Sequence, residues 1–188
     1  MSETTTNNKS NVTTGKPRYG GAAFAAPTGS TLPIDAAAAL DEAFVGLGYI
    51  SEDGLTNNGE RSSNNIKAWG GDVVLSPQTE KTDTFTVTFI EALNPEVLKI
   101  VHGDDNVTGS VAAGLTVNVN SKELPEKTWV FDMVMNGGVL KRVVIPSGKV
   151  TNVSEVVYND EEAVGYECEI TAYPDSAGNT HYEHFIKP

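Results

Sequence analysis

Along much of this chain apolar and polar residues alternate one for one. From Thr84 to Phe89 the alternation is strict: Phe85, Val87 and Phe89 share one side, and Thr84, Thr86 and Thr88 share the other. A period of two is the mark of a strand half buried against a core. Leu115, Val117 and Val119 stand in the same way against Thr116, Asn118 and Asn120. So do Val164, Tyr166, Cys168, Ile170 and Ala172, opposite Gly165, Glu167, Glu169 and Thr171. Between Trp129 and Met135 both sides are apolar apart from Thr128 and Asp132, and much of 139–145 is similar. A strand with one wet face carries more polar residues, so a helix or a second subunit is expected to cover these two. Asn136-Gly137-Gly138 between them predicts a hairpin turn. The pattern is mainly β, an antiparallel sandwich or partly closed barrel.

Two short helices are predicted among the strands. Asp35 stands as the cap of an N-terminal helix reaching Phe44, with Leu40, Phe44 and Leu47 on one face and Gly46 or Gly48 as the stop. The second opens at Asn94 with Pro95 in its first turn and Glu96 near its positive end. Val97, Leu98 and Val101 face the core, and Gly103 ends it. This helix is expected to flank an open side of the sandwich, with His102 as a cation at its negative end.

Three segments show neither period. Residues 1–14 are rich in Thr, Asn and Ser and read as a flexible tail. Residues 15–34 are broken by Pro and Gly and read as an extended arm carrying Arg18, Tyr19 and Phe24, suited to docking on a neighbouring subunit. Residues 54–70 form a long polar loop that includes Asn57, Asn58, Glu60 and Arg61. Leu55 brackets it on one side and Ile66 to Trp69 on the other. A loop of that length in a compact domain is usually functional or disordered, and the apolar brackets favour function. Glu52-Asp53-Gly54 reads as a turn leaving a strand, and Asp160, Glu161 and Glu162 as a hairpin tip. No repeat or second domain divides 15–188.

Composition narrows the partners. A chain of 188 residues, 39% hydrophobic and 20% charged, can bury a real core. Its formal net charge of −12 repels nucleic-acid phosphates. The nearest thing to a basic cluster, Lys141 and Arg142, points to opposite faces of a strand, so a duplex-gripping surface is not expected. Cys168 is alone and cannot form an internal disulfide. No apolar run reaches the length of a membrane span, and the first 14 residues lack the apolar core of a leader. A cytoplasmic origin and no membrane partner are expected.

Candidate chemistry is thin. His102, His181 and His184 show no pattern with a Ser or Cys nucleophile and an orienting acid. Cys168 falls on an apolar strand face, as a small buried hydrophobe does. Asp104-Asp105-Asn106 lacks the alternating ligands and distal Glu of a calcium loop and reads as a solvated turn. Ser147-Gly148-Lys149 echoes the end of a phosphate loop, but Val143 stands where that motif needs its leading glycine. No catalytic residue, metal or cofactor is expected.

One ordered set of residues is more specific. Leu47-Gly48-Tyr49-Ile50-Ser51-Glu52-Asp53-Gly54-Leu55, then Lys67-Ala68-Trp69-Gly70-Gly71-Asp72, then Phe89-Ile90-Glu91-Ala92-Leu93-Asn94 resembles the major tail proteins of long-tailed, siphovirus-type bacteriophages. The similarity runs from about Gly15 to near the C-terminus. It implies a structural virion protein whose copies close into hexameric rings, edge to edge, and stack into a hollow tail tube. It implies a tape measure protein, tail terminator and distal tail proteins as partners, assembly in the host cytoplasm, and genome DNA passing down the lumen. It would give the loop residues Leu55, Asn57, Asn58, Glu60, Arg61, Ile66 and Trp69 a role in reaching the adjacent ring. Two faces are candidates for the lumen wall, Thr84-Thr86-Thr88 and Glu167-Glu169, where acidic or neutral character would let DNA slide. Rival readings are a carbohydrate-binding or adhesive β-sandwich module, which needs a flat row of exposed aromatics, and a small-ligand barrel or enzyme, which needs a polar interior.

Overall fold

The computed structural model describes residues 7–188; the first six residues of the expected tail lie outside the described residues. The strands are β1 (Lys16–Pro17), β2 (Ala23–Pro27), β3 (Val45–Gly46), β4 (Ile50–Ser63), β5 (Ile66–Lys67), β6 (Val73–Leu75) and β7 (Gln78–Phe89). Helix α1 (Pro95–His102) follows, then β8 (Val107–Ser110), β9 (Gly114–Val117), β10 (Lys127–Val134), β11 (Leu140–Val153), β12 (Tyr166–Tyr173) and β13 (Tyr182–Ile186). A nine-stranded antiparallel sheet in the order β3-β2-β10-β11-β12-β7-β4 carries β1 on β10 and β13 on β11.

Strand β11 makes this sheet a sandwich. Its first half, Leu140–Val144, pairs with β13, and its second half, Ser147–Val153, pairs with β12 on the same side. The change of partner falls between Val144 and Ser147, and a register shift between Val150 and Asn152 adds a bulge further along the strand. Between the layers Phe85, Val87, Phe89, Trp129, Phe131, Ile145, Cys168 and Ile170 form one continuous core. The strict alternations of β7 and β12 lie side by side, Phe85 beside Ile170 and Val87 beside Cys168, and make one wall of it.

Helix α1 forms where predicted. The Asn94 side chain accepts the Glu96 N–H at 3.0 Å, Pro95 starts the first turn, and Gly103 leaves it at φ +98°. Val97, Leu98 and Val101 are buried. His102 differs from expectation: its ring lies edge-on to Tyr166, and burial lowers its pKa, so near neutral pH it is not the cation foreseen. Asp104-Asp105-Asn106 is a short 3-10 turn whose Asp104 and Asp105 are solvated as expected. Asn106 is buried, donating to the His102 carbonyl, while Lys127 pairs with Asp104.

The predicted N-terminal helix does not exist. Residues 35–44 follow bends and turns despite an alanine run of high helix propensity. The Asp35 carboxylate accepts the Ala37 and Ala38 N–H groups at 2.7 and 2.5 Å, which also lowers the Asp35 pKa. The carbonyls of Asp35 and Ala38 accept from Arg142 Nη1 at 3.0 and 2.8 Å, and that of Ala36 from Arg18 Nη1 at 3.3 Å. Carbonyls that would close helical turns are spent on two guanidiniums. Arg142 itself is buried and forms a bidentate pair with buried Asp132, at 2.6 and 2.7 Å.

That arrangement answers what covers the second apolar face. Val130 and Val144 are fully buried outside the main core, on the side of Asp132 and Arg142. The segment held by Arg142 is the chain's own and non-helical, so neither expected cover, a helix or a second subunit, is the one found there.

The extended arm of 15–34 is likewise corrected. Ala23–Pro27 is a strand of the sheet, paired with β10 and β3, and Lys16–Pro17 pairs with the end of β10. Arg18 binds Asp132, Phe24 is half-buried, and only Tyr19 stands free in solvent. Short side chains permit this: Ala23, Ala25 and Ala26 let β2 pack closely with little apolar volume, which hid the strand from a pattern search. Of residues 7–14, Thr13 and Thr14 hydrogen-bond to Asn136 in the β10–β11 turn.

Candidate assembly surfaces

The polar loop of 54–70 is for the most part strand. Strand β4 continues to Ser63 and pairs with β7 from Ile50↔Phe89 to Ser63↔Gln78. The expected turn at Glu52-Asp53-Gly54 is a bulge within β4, with Gly54 at φ +71°. Strand β12 accompanies β7 only as far as Asp83. Beyond it the β4–β7 ribbon has only itself to pair with, and 60–81 is solvent-exposed on both faces. No period-two signal can arise when both faces are wet, so the ladder read as loop.

This arm is built to keep its shape. Arg61 Nη1 donates to Gln78 Oε1 at 3.0 Å and Thr79 Oγ1 to the Ser62 carbonyl at 3.2 Å. Strands β5 and β6 form a second short ladder, Ile66↔Leu75 and Lys67↔Val73. The tip closes through Ala68 N–H to the Asp72 carbonyl at 2.8 Å, with Gly70 and Gly71 at φ +113° and +102°, a conformation glycine adopts freely. From Glu60 to Lys67 the ribbon runs about 25 Å at the usual rise per residue. Leu55 packs against the core as an anchor. The other expected anchors do not: Trp69 is fully exposed and Ile66 half exposed.

At the root of the arm sits buried Asp83. Burial raises its pKa, but hydrogen bonds from Lys81 (Nζ at 2.7 Å) and Thr180, with the nearby charges of Lys81 and His181, outweigh it and leave the pKa lowered. His181 also meets Phe85 edge to face. The C-terminal segment thereby fastens the arm to the body.

The two candidate lumen faces turn out to be one surface. Register places Thr88 beside Glu167, Thr86 beside Glu169 and Thr84 beside Thr171. Across β7, Thr56 and Asn58 of β4 lie next to Thr86 and Thr84. On β11, Thr151 Oγ1 lies 2.9 Å from Thr171 Oγ1, and just past its end Ser154 donates to Glu167. The one lysine in this register, Lys149, is paired with Glu123. A hydroxyl-rich, weakly acidic sheet face results, opposite the Phe85–Phe89 wall of the core.

Catalytic chemistry finds no footing at Cys168. The thiol is fully buried, and burial, with the charge of Glu167 second, pushes its pKa up to about 12. A thiol reagent at pH 8 is therefore expected to leave Cys168 unmodified in the native chain and to label it fully in denaturant, measured by mass spectrometry. Among the described residues no helix is long and apolar enough to cross a membrane.

Compared with known families, residues 5–187 match the model described as phage tail tube protein. A comparison with curated proteins gives no match.

Proposed function

Because this chain, matched over nearly its whole length, belongs to the phage tail tube proteins, structural components of the virion tail that self-associate into a tube, we propose how its surfaces divide that work. Copies close into hexameric rings, rings stack through the β4–β7 arm, and genome DNA passes through the hollow centre. The observation that carries this reading is the arm itself. A solvent-exposed, hydrogen-bonded ribbon about 25 Å long contributes nothing to its own core, so its order is useful only to another molecule.

Ring closure is supported by sheet edges. The outer edge of β4 and the second edge of β13 have no strand partner among the described residues. Unpaired edges are hazards in a solitary molecule and joining surfaces in a closed ring. Passage of DNA is supported by the Thr84–Thr88 and Glu167–Glu169 face, where Lys149 is already paired with Glu123 and acidic and hydroxyl groups prevail. Tape measure, tail terminator and distal tail proteins are the further partners of this reading.

Replacing 62–80 by Asn-Gly tests the arm while keeping the Lys81–Asp83 root. The shortened chain is expected to melt like the parent yet form no tubes by negative-stain microscopy. Normal tubes from it would refute the stacking role. A second test reverses the charge with Glu167→Lys and Glu169→Lys in a phage. Tubes should still form while DNA ejection slows, and unchanged ejection would remove this face from the lumen.

A further inference from the structure

At the end of β7 opposite the arm lies a feature that the surfaces above leave unused. Residues 90–95, with Ala163 and Val164, line an open groove of about 610 Å³. Ile90, Ala92, Pro95, Ala163 and Val164 make it apolar, and Leu93 stands at its lip 71% exposed. Its polar groups are already engaged. Glu91 accepts the Tyr49 N–H at 2.9 Å and the Asn94 amide at 3.0 Å, while Asn94 caps α1. A small-molecule site keeps polar groups free to orient its ligand, and this groove offers none. An apolar partner surface fits it better.

The arm tip supplies such a surface. Ile66, Val73, Val74 and Leu75 are half or more exposed, and Trp69 is wholly so. Clustered apolar exposure at the end of a polar ribbon marks a contact site. Charge permits the contact as well. Within a chain of net charge −12, the tip residues 66–75 hold Lys67 and Asp72 and are neutral overall. The turn leading into the groove's Ala163 and Val164 holds Glu155, Asp160, Glu161 and Glu162, for −4. A neutral tip escapes the repulsion between two acidic surfaces, and Lys67 can pair with a carboxylate of that turn.

We propose that the arm tip of one copy, residues 66–75, seats in the groove of a second copy, between residues 90–95 and Ala163–Val164. The proposal rests on the stacking role above and names the receptor for it. Tip and groove occupy opposite ends of β7, about 40 Å apart for a 12-residue strand. The two patches do not overlap, so each copy presents one and receives the other. Such a heterologous contact does not close on a pair but propagates in one direction, as a tube requires.

Cross-linking tests it in the full-length chain. With Trp69→Cys and Leu93→Cys combined, oxidised tubes are expected to run as a ladder of covalent multimers on a denaturing gel. Either substitution alone should give no ladder, because native Cys168 is buried. In parallel, Lys67→Glu should raise the concentration needed for tubes by about tenfold, and Glu162→Lys in the same chain should restore it. These positions are at the surface, so an unchanged melting temperature separates loss of contact from loss of fold. If the double-cysteine chain forms tubes without a ladder, or Leu93→Asp assembles at the parent's concentration, the groove is not the receptor, while the stacking role survives. If the unaltered chain forms no tubes at all, the stacking role and the groove fall together.

Discussion

Arg142→Ala is expected to cost about 3–5 kcal/mol, the usual penalty for leaving a buried charge without its partner. Asp132 would keep only Arg18, at 3.3 Å and partly exposed, after losing two bonds of 2.6 and 2.7 Å. The Asp35 and Ala38 carbonyls would lose their donor in the same stroke. For a domain of this size the loss corresponds to a fall in melting temperature of roughly 10 °C. Calorimetry measures the fall, and limited proteolysis should show faster cleavage within 35–44. A change below about 1 kcal/mol would mean that Arg142 does not hold this segment. The pair Arg142→Met with Asp132→Leu is expected to recover much of the loss, since two apolar groups leave no charge stranded.

Trp129→Ala should cost a comparable 3–5 kcal/mol by opening a cavity in the centre of the core. Trp129 is 1% exposed, and its Nε1–H donates to the Gly148 carbonyl at 2.9 Å. Trp129→Phe separates the terms: it keeps most of the apolar volume, and removes one hydrogen bond worth about 1 kcal/mol. Gly148 offers a coupled test. A Cβ there would lie 3.0–3.1 Å from Ile170 Cγ2, Ile145 Cγ2 and Trp129 Cδ1, tighter than most packed Cβ contacts. Gly148→Ala should therefore destabilise the parent and cost less beside Trp129→Ala, where one of the three contacts is gone and the cavity gives Ile145 and Ile170 room to shift. Denaturant melts of the four chains give the coupling, and strict additivity would mean that the two residues do not share this space.

Both effects lie in the body of the sandwich, whereas the assembly surfaces are exposed and add little to its stability. An exposed ribbon can be shortened or altered without loss of fold, so the tests of stacking and of the groove read assembly rather than folding. The C-terminal segment bears on both regions. Thr180 and His181 tie the arm root at Asp83, and β13 pairs with β11 over the same residues that carry Arg142.

What the sequence alone determined was most elements with one wet face and one dry face, although the alternation from Leu115 to Val119 stops with β9 at Val117 and leaves Val119 exposed. The apolar rows Phe85-Val87-Phe89 and Tyr166-Cys168-Ile170-Ala172, the capped helix from Asn94 and the Asn136-Gly137-Gly138 hairpin carry their own periods or caps, and those are local properties. The ordered residues around Gly48, Trp69 and Glu91 also pointed to the tail tube family. Elements whose state depends on distant partners were settled only by the tertiary structure. Residues 35–44 have a helical composition, yet Arg142, more than a hundred positions away, takes their carbonyls. Ala23–Pro27 is a strand because β10 and β3 flank it, and β4 runs on through a polar stretch because β7 supplies its ladder. Register alone placed Thr84-Thr86-Thr88 and Glu167-Glu169 side by side on one surface. Hydrogen-bond partners across a sheet leave no trace in the spacing of either strand, and the arm, its root and the shared polar face were hidden for that reason.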